Sequence, residues 1–194
     1  MSIKCTDRAG LEAYMKDRLT DKRYRHSLGV EKMASELAEI YGADIEKAAF
    51  AGRYHDIAKC LTAEESDALV RKYNLPDKYI GNIALAHSKL AAEILKNEFG
   101  VTDEEILDAV RSHTTGRVEM SLLEEIVYSA DAIEENRSYP ELEELQELAG
   151  TDLDKACLAI MDFAVEMILD KGRELDTDTL EAREFIRERI NNKN

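Results

Sequence analysis

Basic residues are in short supply in this 194-residue chain. Lys and Arg number 26 against 41 Asp and Glu, a formal net charge of −15. Such a balance excludes nonspecific binding to DNA or RNA, which draws its affinity from basic side chains that displace counterions. An anionic substrate would need strong local positive charge, such as a pair of divalent ions with a few Lys and Arg, to enter so negative a field. Cysteine is equally scarce. Cys5, Cys60 and Cys157 are scattered, odd in number and without C-x-x-C spacing, so free thiols are expected rather than disulfides or a thiolate metal site. The opening MSIKCTDRAG lacks the apolar run of a secretion signal, and no stretch reaches membrane-spanning length. A soluble, cytoplasmic protein without membrane contact is expected.

Proline and aromatics are sparse too. Only Pro76 and Pro140 interrupt a chain rich in Ala, Leu, Glu and Lys, and aromatics make up 6%. No run alternates with strand period, and no repeat, linker or low-complexity segment is present. Apolar residues recur at helical spacing, which predicts an all-α fold. Hydrophobic residues at 44% suffice for one core, and two full domains would be cramped. Thr6 or Asp7 caps a first helix ending near Leu19. Asp21 caps a second, which stops at Tyr41 before Gly42, and Asp44 opens a third. Thr62 with Glu65 matches a capping box, and Asn74-Leu75-Pro76 ends the segment this box opens. Further helices are expected at about 78–86, 88–99, 103–113, 121–135, 141–149, 152–171 and 177–191. The chain reads as a single domain, 1–194, with its core at about 20–170 and the Glu/Arg-rich 177–191 as a solvated appendage.

Histidine is rare as well, and here scarcity informs. The four histidines, His26, His55, His87 and His113, are joined by Asp56 directly after His55 and by Asp131. His26 shares a helical stripe with Val30, Met33 and Leu37, His113 with Ile106 and Val110, and Asp131 follows Val127 by one turn. A lone histidine on such a face is more often a core residue bonded to a carbonyl. A core aspartate is less comfortable, because a buried carboxylate needs a cation, a donor network or water. Six nitrogen and oxygen ligands from several helices suit a two-metal cage. Asp56 can bridge two ions while His55 binds one, and Lys59, one turn on, can neutralise phosphate oxygens. With carboxylate and no cysteine in the set, iron or manganese is favoured over structural zinc.

The order His26, His55-Asp56, His87, His113, Asp131 resembles that of dinuclear HD-domain phosphohydrolases. More narrowly, RHSLGVEKMASELAEIYGADIEKAAFAGRYHDIAK, SHTTGR and SADAIEENR are similar to the YqeK-type branch, across roughly residues 20–170. The resemblance implies an HD-domain helical bundle that hydrolyses diadenosine tetraphosphate (Ap4A) symmetrically to two ADP, with iron as the associated metal. It implies His26, His55, Asp56 and Asp131 around one ion, and His87 and His113 with bridging Asp56 around the other. The branch also keeps a threonine, glycine and arginine after the fourth histidine, matched by Thr114, Thr115, Gly116 and Arg117. Hydroxyls, backbone amides and a guanidinium suit phosphate there, as does Arg137 after Asp131. An ordinary helix end with a surface arginine, and salt bridging of Arg137 to nearby acids, are the plainer readings. The chain departs from the family at the third histidine. Where members commonly carry a His-Gly-Pro-like turn it reads His87-Ser88-Lys89, with Ser88 expected as a helix N-cap and Lys89 expected to be exposed or, alternatively, to add a phosphate contact.

The expected chemistry is phosphoanhydride hydrolysis by a hydroxide shared between two metals, with Asp56, Lys59 and Arg117 central and Arg137 assisting. No G-x-S-x-G, P-loop or Cys–His pair suggests another route. Three alternatives stay open: a phosphodiesterase or nucleotidase acting on another nucleotide, a noncatalytic nucleotide or metal sensor, and a purely structural helical protein. A second copy of the chain, forming a homodimer, is the one protein partner left open.

Overall fold

The computed structural model describes residues 3–172 and 174–193, and among these all regular structure is helical. Most helices begin where the sequence offers a side-chain acceptor. Asp7 caps α1 (Arg8–Arg18), and Asp44 caps α3 (Ile45–Tyr54). Thr62 and Glu65 form the expected capping box of α4 (Ala63–Lys72), and Ser121 with Glu124 forms another at α7 (Leu122–Ile133). In α2 (Asp21–Tyr41) the cap is Thr20, whose hydroxyl accepts from Arg23 N, and Asp21 is the first helical residue instead. Gly42 ends α2 at φ 71°, a left-handed conformation that glycine adopts without strain.

Helix α7 is the axis of the bundle. Leu123, Ile126, Val127, Ala130 and Ile133 are buried, with α2, α3, α6 (Glu104–Ser112), α8 (Leu142–Ala149) and α9 (Leu153–Asp170) packed around it. Each large apolar side chain sunk here contributes roughly 1.5–3 kcal/mol. Helices α2 and α3 pack closest, because Gly52 lets α3 lie directly on the α2 backbone. A Cβ at Gly52 would stand 2.9 Å from Val30 O and 3.1 Å from Glu31 Cα.

Between residues 77 and 99 the structure departs from expectation in its helix boundaries, at Ser88 and at Lys89. In place of separate helices over 78–86 and 88–99, a 3₁₀ turn, Asp77–Tyr79, is followed by one helix, α5 (Ile83–Asn97), that runs through His87 and Ser88. Ser88 therefore caps nothing. Its hydroxyl is buried and turns back to donate to Leu85 O at 3.4 Å, a bond that a helix interior tolerates. Nor is Lys89 exposed. Burial lowers its pKa, and its ammonium donates to Arg111 O at 3.0 Å, filling a carbonyl left over near the end of α6.

Helix α10 (Thr177–Lys193), expected as a solvated appendage, packs on α9 and buries Thr179, Ala182 and Ile186. Its Arg189 donates to buried Glu125 at 2.5 Å. No helix among the described residues is long and apolar enough to cross a membrane.

Alanine in place of glycine inside a helix normally gains about 1 kcal/mol from propensity. At Gly52 the backbone of α2 stands in the way. Gly52→Ala is therefore expected to destabilise by about 1–3 kcal/mol, read from the urea midpoint. A midpoint at or above the parent's would show that the two helices are free to separate.

Candidate metal centre

Five helices deliver the six expected ligands to one point. His26 comes from α2, His55 and Asp56 from the turn that ends α3, His87 from α5, His113 from the end of α6, and Asp131 from α7. His26, His55, Asp56, His87 and His113 are buried, and Asp131 is partly open to a cavity. His26 Nε2 lies 3.0 Å from Asp131 Oδ1 and 3.3 Å from His55 Nε2, with Asp56 Oδ2 3.5 Å from His55 Nε2. On the other side of Asp56, its Oδ1 lies 3.3 Å from His87 Nε2 and 3.5 Å from His113 Nε2, and these nitrogens are 3.1 Å apart. Each oxygen of the Asp56 carboxylate thus faces its own group of donors. His55 stands nearest the boundary, since its ligand atom, one from Asp56 and one from His113 all lie within 4.8 Å of one another.

The hydrogen bonds on the outer side of the rings fix which nitrogen faces inward. His55 Nδ1–H donates to Gly52 O at 2.7 Å, His113 Nδ1–H to Val110 O at 2.7 Å, and His87 Nδ1–H to Ile83 O at 3.1 Å. His26 Nδ1–H points to Glu134 Oε1 at 3.1 Å. This carbonyl-or-carboxylate support is the usual second layer of a histidine metal site. In neutral His87 and His113 it leaves only lone pairs on Nε2. These face one another at 3.1 Å beside Asp56 Oδ1, a buried oxygen with no hydrogen-bond partner. Lys59 Nζ, at 3.0 Å, serves the His87 lone pair, but Asp56 Oδ1 carries the cost of an unsatisfied buried group, about 1–3 kcal/mol or more for a charged one. A cation removes the conflict. Two ligands bonded to one ion at about 2.0–2.2 Å are some 3.0–3.4 Å apart, the range of the shorter contacts seen here. The residues fit a dinuclear metal site of N and O donors, with one oxygen of Asp56 turned to each half.

Electrostatics agree with that fit. Burial favours the neutral carboxyl at Asp56, yet the charge on His55 beside it holds it well below the usual carboxylate range. Burial likewise opposes ionisation of Asp131, and His26, His55 and Arg137 hold it low. Burial pushes His113 down to about 4 and lowers His87, so both present lone pairs at neutral pH. His55 moves the other way. Burial favours its neutral form, but Asp56 and Asp131 outweigh it and raise the pKa.

The HD domain family matches residues 23–136, the span from the first turn of α2 to just beyond Asp131. This chain belongs to the HD-domain family. A protein named symmetrical bis(5'-nucleosyl)-tetraphosphatase from Bacillus subtilis is 40% identical over 168 residues, 86% of this chain and 90% of that one. Its namesake from Halalkalibacterium halodurans is 40% identical over 167 residues, 86% and 89% of the two chains. A crystal structure of a predicted HD superfamily hydrolase involved in NAD metabolism, from Clostridium acetobutylicum, superposes with a TM-score of 0.88 at 41% identity. The match covers 93% of this chain and 96% of that one.

The His/Asp cluster of this HD domain opens into a cavity of about 370 Å³, whose lining includes Lys59, Thr114, Asp131 and Arg137. Lys59 Nζ and Thr114 Oγ1 lie 3.0 and 3.1 Å from His87 Nε2. Arg137 donates to Asp131 Oδ1 at 2.5 Å. The rest of the expected phosphate turn points elsewhere. Arg117 grips Glu124 through Nε and Nη2, both at 2.6 Å, so the guanidinium serves the capping box of α7 and not the cavity. Thr115 is buried and donates to Gly116 O at 2.9 Å, and Gly116, at φ 67°, sits under Met161 and Ala182. Of the Thr114–Arg117 turn, only Thr114 lines the cavity.

Two residues at the site escaped the sequence reading. Arg23 donates to Asp56 Oδ2 at 2.6 Å, and Glu134 orients His26. Arg23 lies three residues before His26, and Glu134 three after Asp131. Helical spacing from a known ligand is the signal that finds them.

Asp56→Ala is expected to release both ions together, bringing metal content by mass spectrometry close to zero. Retention of one full equivalent would contradict bridging. Metal affinity should also depend on pH. A proton held on His55 above its ordinary pKa of about 6.5 must leave before a cation enters. Loading should therefore release protons, and affinity should strengthen as pH rises through that range. Affinity that stays flat from about pH 5 to 8 would oppose this account.

Proposed function

We propose that this HD domain is a symmetrical dinucleoside tetraphosphate hydrolase, converting Ap4A and water to two ADP, with iron as its resident metal and manganese as a substitute. The observation that carries the reading is the buried His/Asp cluster around Asp56 at the mouth of a cavity lined by Lys59 and Arg137. Relatives of that name are 40% identical over most of both chains. On this reading the enzyme works in the cytoplasm on a free nucleotide and needs neither nucleic acid nor membrane. The cysteines fit a reducing compartment, since Cys5, Cys60 and Cys157 are unpaired.

His26, His55, Asp56 and Asp131 would hold one ion, and His87 and His113 with Asp56 the other. When bound, the metal pair supplies Lewis-acid polarisation of a phosphoryl oxygen and lowers the pKa of the attacking water. The remaining tasks fall to the chain. The Lys59 ammonium and the Arg137 guanidinium, already beside the ligand carboxylates and imidazoles, neutralise charge on phosphoryl oxygens as it builds. Thr114 offers a hydroxyl at the same edge. Water adds across the central P–O–P bridge, so one ADP keeps the bridging oxygen and the other takes the oxygen of water. The leaving ADP departs as an anion, because a terminal phosphate with a second pKa near 6 needs no acid at neutral pH. Each new terminal phosphate is largely dianionic at neutral pH, so both protons of the water pass to solvent.

Anaerobic incubation of the iron-loaded protein with Ap4A, with products separated by ion exchange, should give ADP alone. Lys59→Ala should retain the metal and lose on the order of a hundredfold in kcat. ATP plus AMP would overturn the symmetrical register. Metal-loaded protein that leaves Ap4A intact would reject the substrate.

A further inference from the structure

The cluster has two cavities beside it, unlike in chemistry, and they share a wall. The first, described above, opens on Lys59 and Asp131 and continues as an apolar slot between α7, α9 and the 138–140 segment. Tyr139 and Phe163 stand there with ring centroids 5.4 Å apart and planes 20° from parallel. Phe163 and Met167 are large apolar side chains left exposed, at 37% and 41%. The Tyr139 hydroxyl donates to Ala132 O at 2.9 Å, which pins the ring at the cavity edge. A fixed aromatic face beside exposed apolar side chains suits a flat heteroaromatic ring, since every nucleobase offers a π-face for stacking.

The second cavity, of about 620 Å³, lies on the α2 side of His26 and is lined by Lys22, Arg23, Arg25 and Arg137. In a chain of net charge −15 this is a local reversal of sign. Most arginines and lysines here are tied to carboxylates, including Arg53 to Glu12 and Glu31, Lys47 to Asp103, and Arg189 to Glu125 and Asp154. Lys22 and Arg25 show no carboxylate partner for their side chains among the described residues, and both are exposed. Arg137 and Tyr139 line both cavities, which places His26 and Asp131 between them.

We infer that the dinucleotide binds across both cavities at once, with its two halves recognised differently. One half places its base in the aromatic slot against Tyr139 and Phe163. The polyphosphate crosses the metal cluster along Arg137. The phosphates and ribose of the other half lie in the basic cleft on Lys22 and Arg25, where its base is held loosely or not at all. Placing one nucleoside on each side of the cluster brings the central bridge, rather than a terminal phosphate, to the ligands. This inference rests on the substrate assignment proposed above and adds the location of both of its ends.

The two sites respond to different perturbations. With metal-loaded full-length protein and Ap4A, Phe163→Ala should raise KM roughly tenfold through lost stacking, with little dependence on salt. The double variant Lys22→Glu/Arg25→Glu should raise KM by about tenfold at low ionic strength and converge on the parent at about 0.5 M salt, where exposed charges are screened. Arg71→Glu, an exposed reversal on α4 outside both cavities, makes half the charge change of the double variant and should keep the parent KM. Metal content should match the parent's in each case. A parent-like KM for Phe163→Ala, or for the double variant at low salt, overturns the two-cavity placement while Ap4A hydrolysis stands. Equal loss in Arg71→Glu and the double variant overturns it as well, assigning the effect to net charge. No turnover of Ap4A by the metal-loaded parent rejects the substrate assignment itself, and the placement falls with it.

Discussion

A buried carboxylate with an unpartnered oxygen governs the arrangement of this molecule. Asp56 lies at the junction of five helices, and each of its oxygens faces imidazole nitrogens whose other ring nitrogen is already committed. Protein alone cannot satisfy that geometry. Arg23 reaches Oδ2, but Oδ1 is left among lone pairs. The bundle is built to bring acceptors together, and the cost is offset when cations fill the space between them. Metal binding and the final packing of α2, α3, α5, α6 and α7 are therefore coupled.

The rest of the fold serves this junction. Gly52 allows α3 to lie on α2 and also supplies the carbonyl that holds the His55 ring. The final turn of α6 does the same for His113 through Val110 O. Lys89 ties α5 to the last carbonyls of α6, so His87 and His113 approach on braced elements. Packing and site chemistry share the same residues, and a substitution chosen to probe stability at Gly52 also reaches the ligand shell.

Much of this was legible in the sequence, for identifiable reasons. Four histidines in a 194-residue chain, one directly followed by Asp56 and the series completed by Asp131, point to a metal site because a buried Asp needs a cation, a donor network or water. Helix positions followed from Ala, Leu and Glu periodicity, and caps such as Thr62 and Asp44 were visible as single residues. What failed was side-chain direction. Arg117 read as a phosphate contact because it follows His113, yet Ser121-x-x-Glu124 already announced a capping carboxylate that could hold it. Ser88 read as a cap, but a serine inside an apolar helix can bond its own backbone instead. The aromatic slot was hidden because Tyr139 and Phe163 lie far apart in sequence and only the packing of α9 brings them together.

The most direct test of the Asp56-bridged pair is anomalous diffraction from crystals of the metal-loaded protein, collected at the absorption edge of the metal. Two peaks about 3.5–4 Å apart, one on the His26, His55 and Asp131 side of Asp56 and one on the His87 and His113 side, are the result this account predicts. A single peak, or a pair that leaves Asp56 Oδ1 uncoordinated, would contradict it.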